Sequence, residues 1–123
     1  MRILFLIGTG GFIGSVFRYL LSQFIQGKFL SAFPFGTLGV NLLGCFVIGI
    51  IFALSEKGNM SAEWRLFLAT GICGGFTTFS AFSNETVALL RGDQMGYAFL
   101  YVSASVILGL LATFAAITLI KLL

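Results

Sequence analysis

GICGGFTTFSAFSNET, Gly71 to Thr86, is the stretch on which the reading of this chain turns. It lies inside an apolar run, yet it holds the glycines Gly71, Gly74 and Gly75 and the adjacent β-branched pair Thr77 and Thr78. Glycine adds backbone freedom and a threonine hydroxyl competes for helical carbonyls, so the pattern predicts a helix broken at membrane depth. Such a break is tolerated only where protein buries it or a watery cavity meets it, and its freed carbonyls and half-helix ends make ion sites. The competing reading is a tight helix crossing with glycines at the contact, since Gly71 and Gly75, like Gly10 and Gly14, have small-residue spacing.

The composition supports a membrane setting. The 123 residues have a mean hydropathy of +1.08, with 59% apolar and only 9% charged residues, against about 25% charged in an average soluble domain. A bilayer core takes about 20 apolar residues per helix, so the length holds about four spans and leaves no room for a separate soluble domain. The expected fold is all-α, a single integral membrane domain. Histidine is absent, and Cys45 and Cys73 stand far apart without a metal-ligand spacing, so they read as small packing residues. With few acids and no histidine, the parts for hydrolysis or metal chemistry are missing, and an enzyme is not expected. The net charge of +3 comes from seven Lys/Arg scattered singly, whereas nucleic-acid binding would cluster them, so no nucleic-acid partner is expected.

Outward from the central stretch, the spans read as residues 3–25, 34–54, 62–90 and 94–120. The first begins like a signal peptide, with Arg2 ahead of an apolar stretch, but lacks a small-residue cleavage site and is followed by three more spans. Pro34 stands where it can open the second helix. In the polar segment Glu56 to Arg65, Ser61 is a predicted N-cap, with Glu63 in the first turn and Trp64 at the interfacial belt. Asp93 is the predicted N-cap of the fourth helix. Positive charge in short loops sets orientation, and here the bias is slight. Arg2, Lys57, Arg65 and Lys121 share one face, against Lys28 and Arg91, with Arg18 deeper in the first helix. Such a bias suits insertion in both directions or a single orientation fixed by the small excess.

At 100° per residue, Phe76, Phe79, Phe82 and Ser83 share a face, with Thr77, Ser80 and Asn84 beside them. Ring edges carry partial positive charge, so this row with its hydroxyls offers an anion both electrostatic and hydrogen-bonding partners; plain packing is the alternative. Thr37, Asn41 and Cys45 form a stripe at i, i+4, i+8 on the second helix. A buried amide without partners costs about 2 to 7 kcal/mol, so Asn41 faces either a pore or a neighbouring helix. Tyr101, Ser105 and Thr113 make a similar track on the fourth helix. Arg18 and Glu85 are the ionisable residues inside the spans, and each either lines a vestibule or snorkels as an anchor.

GGFIGSVFRY (Gly10 to Tyr19), PFGTLGVNLLG (Pro34 to Gly44) and GICGGFTTFSAF (Gly71 to Phe82) resemble the signature stretches of the Fluc/CrcB family of fluoride channels. The resemblance covers three of the four helices, in order and with matching spacing. It implies an antiparallel, dual-topology homodimer with two pores in a bacterial inner membrane, with fluoride leaving the cell passively. It implies that Phe79 and Phe82 line the pore, that Asn41 donates to fluoride, and that Thr77, Thr78 and Ser80 are hydroxyl neighbours, with Tyr101 and Ser105 on the fourth helix completing the path. It also implies a structural Na⁺ at the dimer centre on the backbone carbonyls of Gly74 and Thr77, with Arg18 and Glu85 at the vestibules. The lipid bilayer and a second copy are then the expected partners. The rival class is a small multidrug-type proton antiporter, which relies on an acid in its first helix; here that helix carries Arg18 and no acid. A non-transporting subunit whose polar tracks serve packing alone is a third class.

Overall fold

The computed structural model describes residues 1–123, and it is helical throughout, without strands. Four helical stretches are long and apolar enough to cross a membrane: α1 (Arg2–Gln26), α2 (Phe35–Glu56), a third span over Ala62–Arg91, and the final helix (Met95–Leu122). The third span is composite. A first α-turn, α3 (Ala62–Arg65), leads into a π-helical segment (Leu66–Cys73), then one further turn, α4 (Gly74–Phe76), and α5 (Phe79–Arg91). The final helix is α6. Only 17 of the 123 residues are buried within the chain, so packing inside one copy leaves most apolar helix faces uncovered, as expected where lipid is the solvent. The protein is a multi-pass membrane protein.

Caps and turns account for the ends. Ser61 accepts a hydrogen bond from the Trp64 backbone N–H at 3.2 Å, the N-cap its sequence position predicts. Gly58 has φ +78° and lets Asn59 N–H reach back to Leu54 O at 3.2 Å, closing α2 in a Schellman turn. Asp93 departs from expectation, because Gln94, not Asp93, precedes the first turn of α6. Asp93 adopts φ +59°, and the following Gln94 N–H bonds to Leu89 O at 2.8 Å. It therefore closes α5, a place where aspartate's tolerance of the left-handed region is useful. Pro34 likewise stands one position ahead of α2, as its N-cap.

Glycines set how closely the spans approach. A Cβ on Gly10 would lie 2.7 Å from Phe67 O, one on Gly75 2.5 Å from Gly11 O, and one on Gly14 inside the Ile72 carbonyl. The backbones of α1 and the third span are thus in direct contact, and Gly71 and Gly75 are packing glycines of that crossing. Gly74 points the other way, with nothing nearer than Ala69 O at 3.9 Å. On the opposite side α2 lies along α6. There a Cβ on Gly49 would meet Thr113 O at 2.6 Å, and the Thr113 hydroxyl donates to Cys45 O at 2.8 Å.

Inserting a methyl into a filled contact costs about 1 to 3 kcal/mol, and at Gly14 it would strike backbone that cannot rotate away. Gly14→Ala is therefore expected to lower the thermal unfolding midpoint in detergent, while Gly8→Ala, whose Cβ meets nothing within 4 Å, leaves it unchanged.

Candidate functional site

Between Phe76 and Phe79 the helical dihedrals stop. Thr77 has φ −94°, ψ 155°, and Thr78 has φ −150°, ψ 124°, both extended. Two extended residues in a helical span leave carbonyls on one side and N–H groups on the other without their usual i to i+4 partners. Side chains take over several of these. Asn41 clamps Thr78 in both directions: its Nδ2 donates to Thr78 O at 3.2 Å, and its Oδ1 accepts from Thr78 N–H at 3.0 Å. Arg18 donates from Nε to Gly75 O at 3.1 Å. The Thr78 hydroxyl accepts from Ala81 N–H at 3.2 Å, capping α5, and lies 3.2 Å from Ser80 Oγ. Thr77 N–H and its hydroxyl both donate to Cys73 O, at 3.0 and 2.9 Å. The carbonyls of Gly74 and Thr77 accept none of these side-chain or linking bonds.

Beside these residues lies a cleft of about 430 Å³, lined among others by Asn41, Gly74, Thr77, Thr78, Phe79, Phe82 and Ser105. No charged side chain lines it. Ser105 Oγ is buried on its wall without a hydrogen-bond partner, an arrangement that costs about 1 to 3 kcal/mol unless a ligand or water completes it. Asn41 uses one of its two amide protons on Thr78 and keeps the other. The Phe79 and Phe82 rings stand 5.6 Å apart, tilted by 43°, and Phe79 is 78% exposed. Cys45 and Cys73 also line the cleft.

Phe76 does not line the cleft, as Phe79 and Phe82 do. The two extended residues advance the chain without the 100° turn per residue on which the row was counted. The Phe76 ring packs beside Gly44, where a Cβ would meet its Cδ2 at 3.4 Å.

Beyond Phe82 the surroundings become more polar. Tyr101 is fully buried, its ring 5.0 Å from Phe82, and its hydroxyl donates to Glu85 Oε1 at 3.0 Å. Thr37 donates to the other oxygen, Oε2, at 2.9 Å. Glu85 also lines a second cavity of about 430 Å³, together with Gln26, Pro34, Ala88 and Gln94. Tyr101 lines neither cavity; it links Phe82, on the wall of the first, to Glu85, on the wall of the second. Arg18 lines neither; it is tied to the carbonyl of Gly75. Ser80 is exposed next to Thr78 rather than in the cleft wall. Gln26 escaped the sequence reading, its only signal being an amide at the end of an apolar helix.

Fold and cleft together define a small helical membrane protein with an uncharged recess at membrane depth, its mostly apolar wall carrying a few polar side chains. Residues 5–117 match the family described as CrcB-like protein, Camphor Resistance (CrcB). A protein of Flavobacterium psychrophilum named fluoride-specific ion channel FluC is 47% identical over 122 residues, covering 98% of both chains. A namesake in Thermus thermophilus is 51% identical over 109 residues, covering 89% of this chain and 86% of its own. That of Phocaeicola vulgatus is 44% identical over 117 residues, covering 95% and 97%. The chain belongs to the CrcB family.

Losing the Asn41 clamp would leave Thr78 N–H and O without their partner, at about 1 to 3 kcal/mol for each buried group. Asn41→Ala is expected to lower the unfolding midpoint well beyond Ser80→Ala, since Ser80 bonds only to a neighbouring hydroxyl. Equal midpoints would show that the clamp holds nothing.

Proposed function

We propose that the chain forms a fluoride-selective channel, conducting passively through an antiparallel homodimer in a bacterial membrane and letting fluoride leave the cell. Family membership supports the ion, and the cleft supports the mechanism. The observation that carries it is one uncharged recess whose wall includes Asn41, Ser105, Phe79 and Phe82, with the Ser105 hydroxyl left unpartnered. An isolated small anion loses tens of kcal/mol of hydration, by order of magnitude, on entering a low-dielectric core. Hydroxyls, an amide and positive ring edges replace that water in part. The N-terminus of α5 adds a partial positive charge at the same depth. A lysine or arginine there would hold the ion too firmly, and conduction needs several weak sites in sequence. Catalysis has no part in this activity.

The second copy follows from the recess. Phe79 is largely exposed and Gly74 is exposed beside it, so the recess lacks a wall. Lipid tails on that side would offer an anion nothing, whereas a second polar track from another copy would complete the path. The slight charge bias between the two faces suits opposite insertion of the two copies.

The same interruption suits a cation. Gly74 and Thr77 both line the cleft, at the last turn before the break and at the break itself, and no cluster of metal-ligating His, Cys, Asp or Glu side chains exists in the chain. Neutral backbone oxygens are the hard donors that suit an alkali cation. A Na⁺ held there, shared with the partner copy, would join the two subunits at their broken third helices. Arg18 and Glu85 then serve the approaches, Arg18 by fixing the Gly75 carbonyl and Glu85 from the second cavity.

Vesicles holding the purified protein are expected to lose fluoride rapidly, followed with a fluoride electrode, and to retain chloride. Phe79→Ile and Phe82→Ile should each cut the fluoride flux while cross-linking still traps dimers. Equal loss of both anions contradicts selectivity, and undiminished flux in both variants contradicts a role for the ring edges.

A further inference from the structure

Gln26, in the last turn of α1, makes three hydrogen bonds that its helix does not require. Its Nε2 donates to Phe33 O at 3.1 Å and to Ser31 O at 3.4 Å, while its Oε1 accepts from Gly36 N–H at 2.9 Å. One side chain thereby ties the end of α1, the connecting loop and the first turn of α2. Ser31 Oγ tightens the same loop by accepting from Phe33 N–H at 3.1 Å. The loop turns inward as a result, and Phe33, a loop residue, is only 4% exposed.

What Phe33 touches links this clamp to the ion path. Its ring stands edge-on to Tyr101, with centroids 5.6 Å apart at 79°, and edge-on to Tyr97 at 5.6 Å and 85°. Phe82 packs on Tyr101 as well, at 5.0 Å. Tyr101 is therefore wedged between Phe33 and Phe82, and in that position its hydroxyl meets Glu85. With Phe33 withdrawn, the ring gains room to swing, and Thr37 becomes the only partner left to the carboxyl group.

We propose that Gln26 is a positioning residue for conduction: by pinning Phe33 it holds the Tyr101 hydroxyl on Glu85, on the wall of the second cavity. The proposal rests on the channel reading above. It adds a residue outside the cleft, acting through a loop, a ring and a hydroxyl in turn. Removal of one amide donor is thus felt more than one helix away.

Gln26→Glu keeps the side-chain length and the acceptor for Gly36 but loses both donors to the loop. Its fluoride efflux from vesicles is expected to fall about tenfold, within what packed networks transmit, with the dimer intact. Adding it to Tyr101→Phe should cause no further loss, because both changes release the same contact. A second measurement does not depend on flux. The carboxyl stretching band of Glu85, assigned by difference against Glu85→Gln, should shift in Gln26→Leu as it does in Tyr101→Phe. An unshifted band in Gln26→Leu, or wild-type flux in Gln26→Glu, overturns the proposal. Should the unmodified protein pass no fluoride, the channel reading fails, and the infrared shift still decides whether Gln26 holds Tyr101 in place.

Discussion

In hydrocarbon there is no water to satisfy a backbone N–H or C=O, and each one left unpaired costs several kcal/mol. The third span meets this constraint with two extended residues, Thr77 and Thr78, between helical segments. Asn41 from α2 and Arg18 from α1 reach in to pair with the exposed peptide groups. The glycine crossing of α1 and the third span belongs to the same arrangement. Gly10, Gly14 and Gly75 bring the backbones close enough for a side chain on α1 to reach the carbonyl of Gly75.

The polar groups left over after this pairing are the ones a transport function needs. In the cleft wall, Ser105 keeps an unpartnered hydroxyl and Asn41 a spare amide proton. At the same depth, the helical run through α4 ends and α5 begins. Opposite helix ends at one level offer a partial negative charge to a cation and a partial positive charge to an anion. In the proposed dimer a single interruption thus serves twice, as a joint between subunits and as part of the lining of the path.

Much of this was legible in the sequence, for identifiable reasons. Four apolar runs are a strong signal, because bilayer thickness demands them. Ser61 as an N-cap is a local rule, and it operates here. The partner of Asn41 was not legible, since its stripe on α2 marked the residue as needing one, while Thr78 lies 37 residues away. The π winding of Leu66–Cys73 left no mark, because LFLATGIC is an ordinary apolar run with one threonine and one glycine. Phe76 fell out of the aromatic row because helical phase was counted through residues that are extended. Aspartate suits both the opening of α6 and the close of α5, and the local sequence does not separate them; the left-handed backbone of Asp93 closes α5.

The central claim is that this uncharged recess passes fluoride and rejects larger halides. Its most direct test is the reversal potential across a planar bilayer holding the purified protein, with opposed gradients of fluoride and chloride. The account predicts a potential at the fluoride equilibrium value that does not move when the chloride gradient is changed. A potential that follows chloride, or that tracks an imposed proton gradient instead, would contradict it.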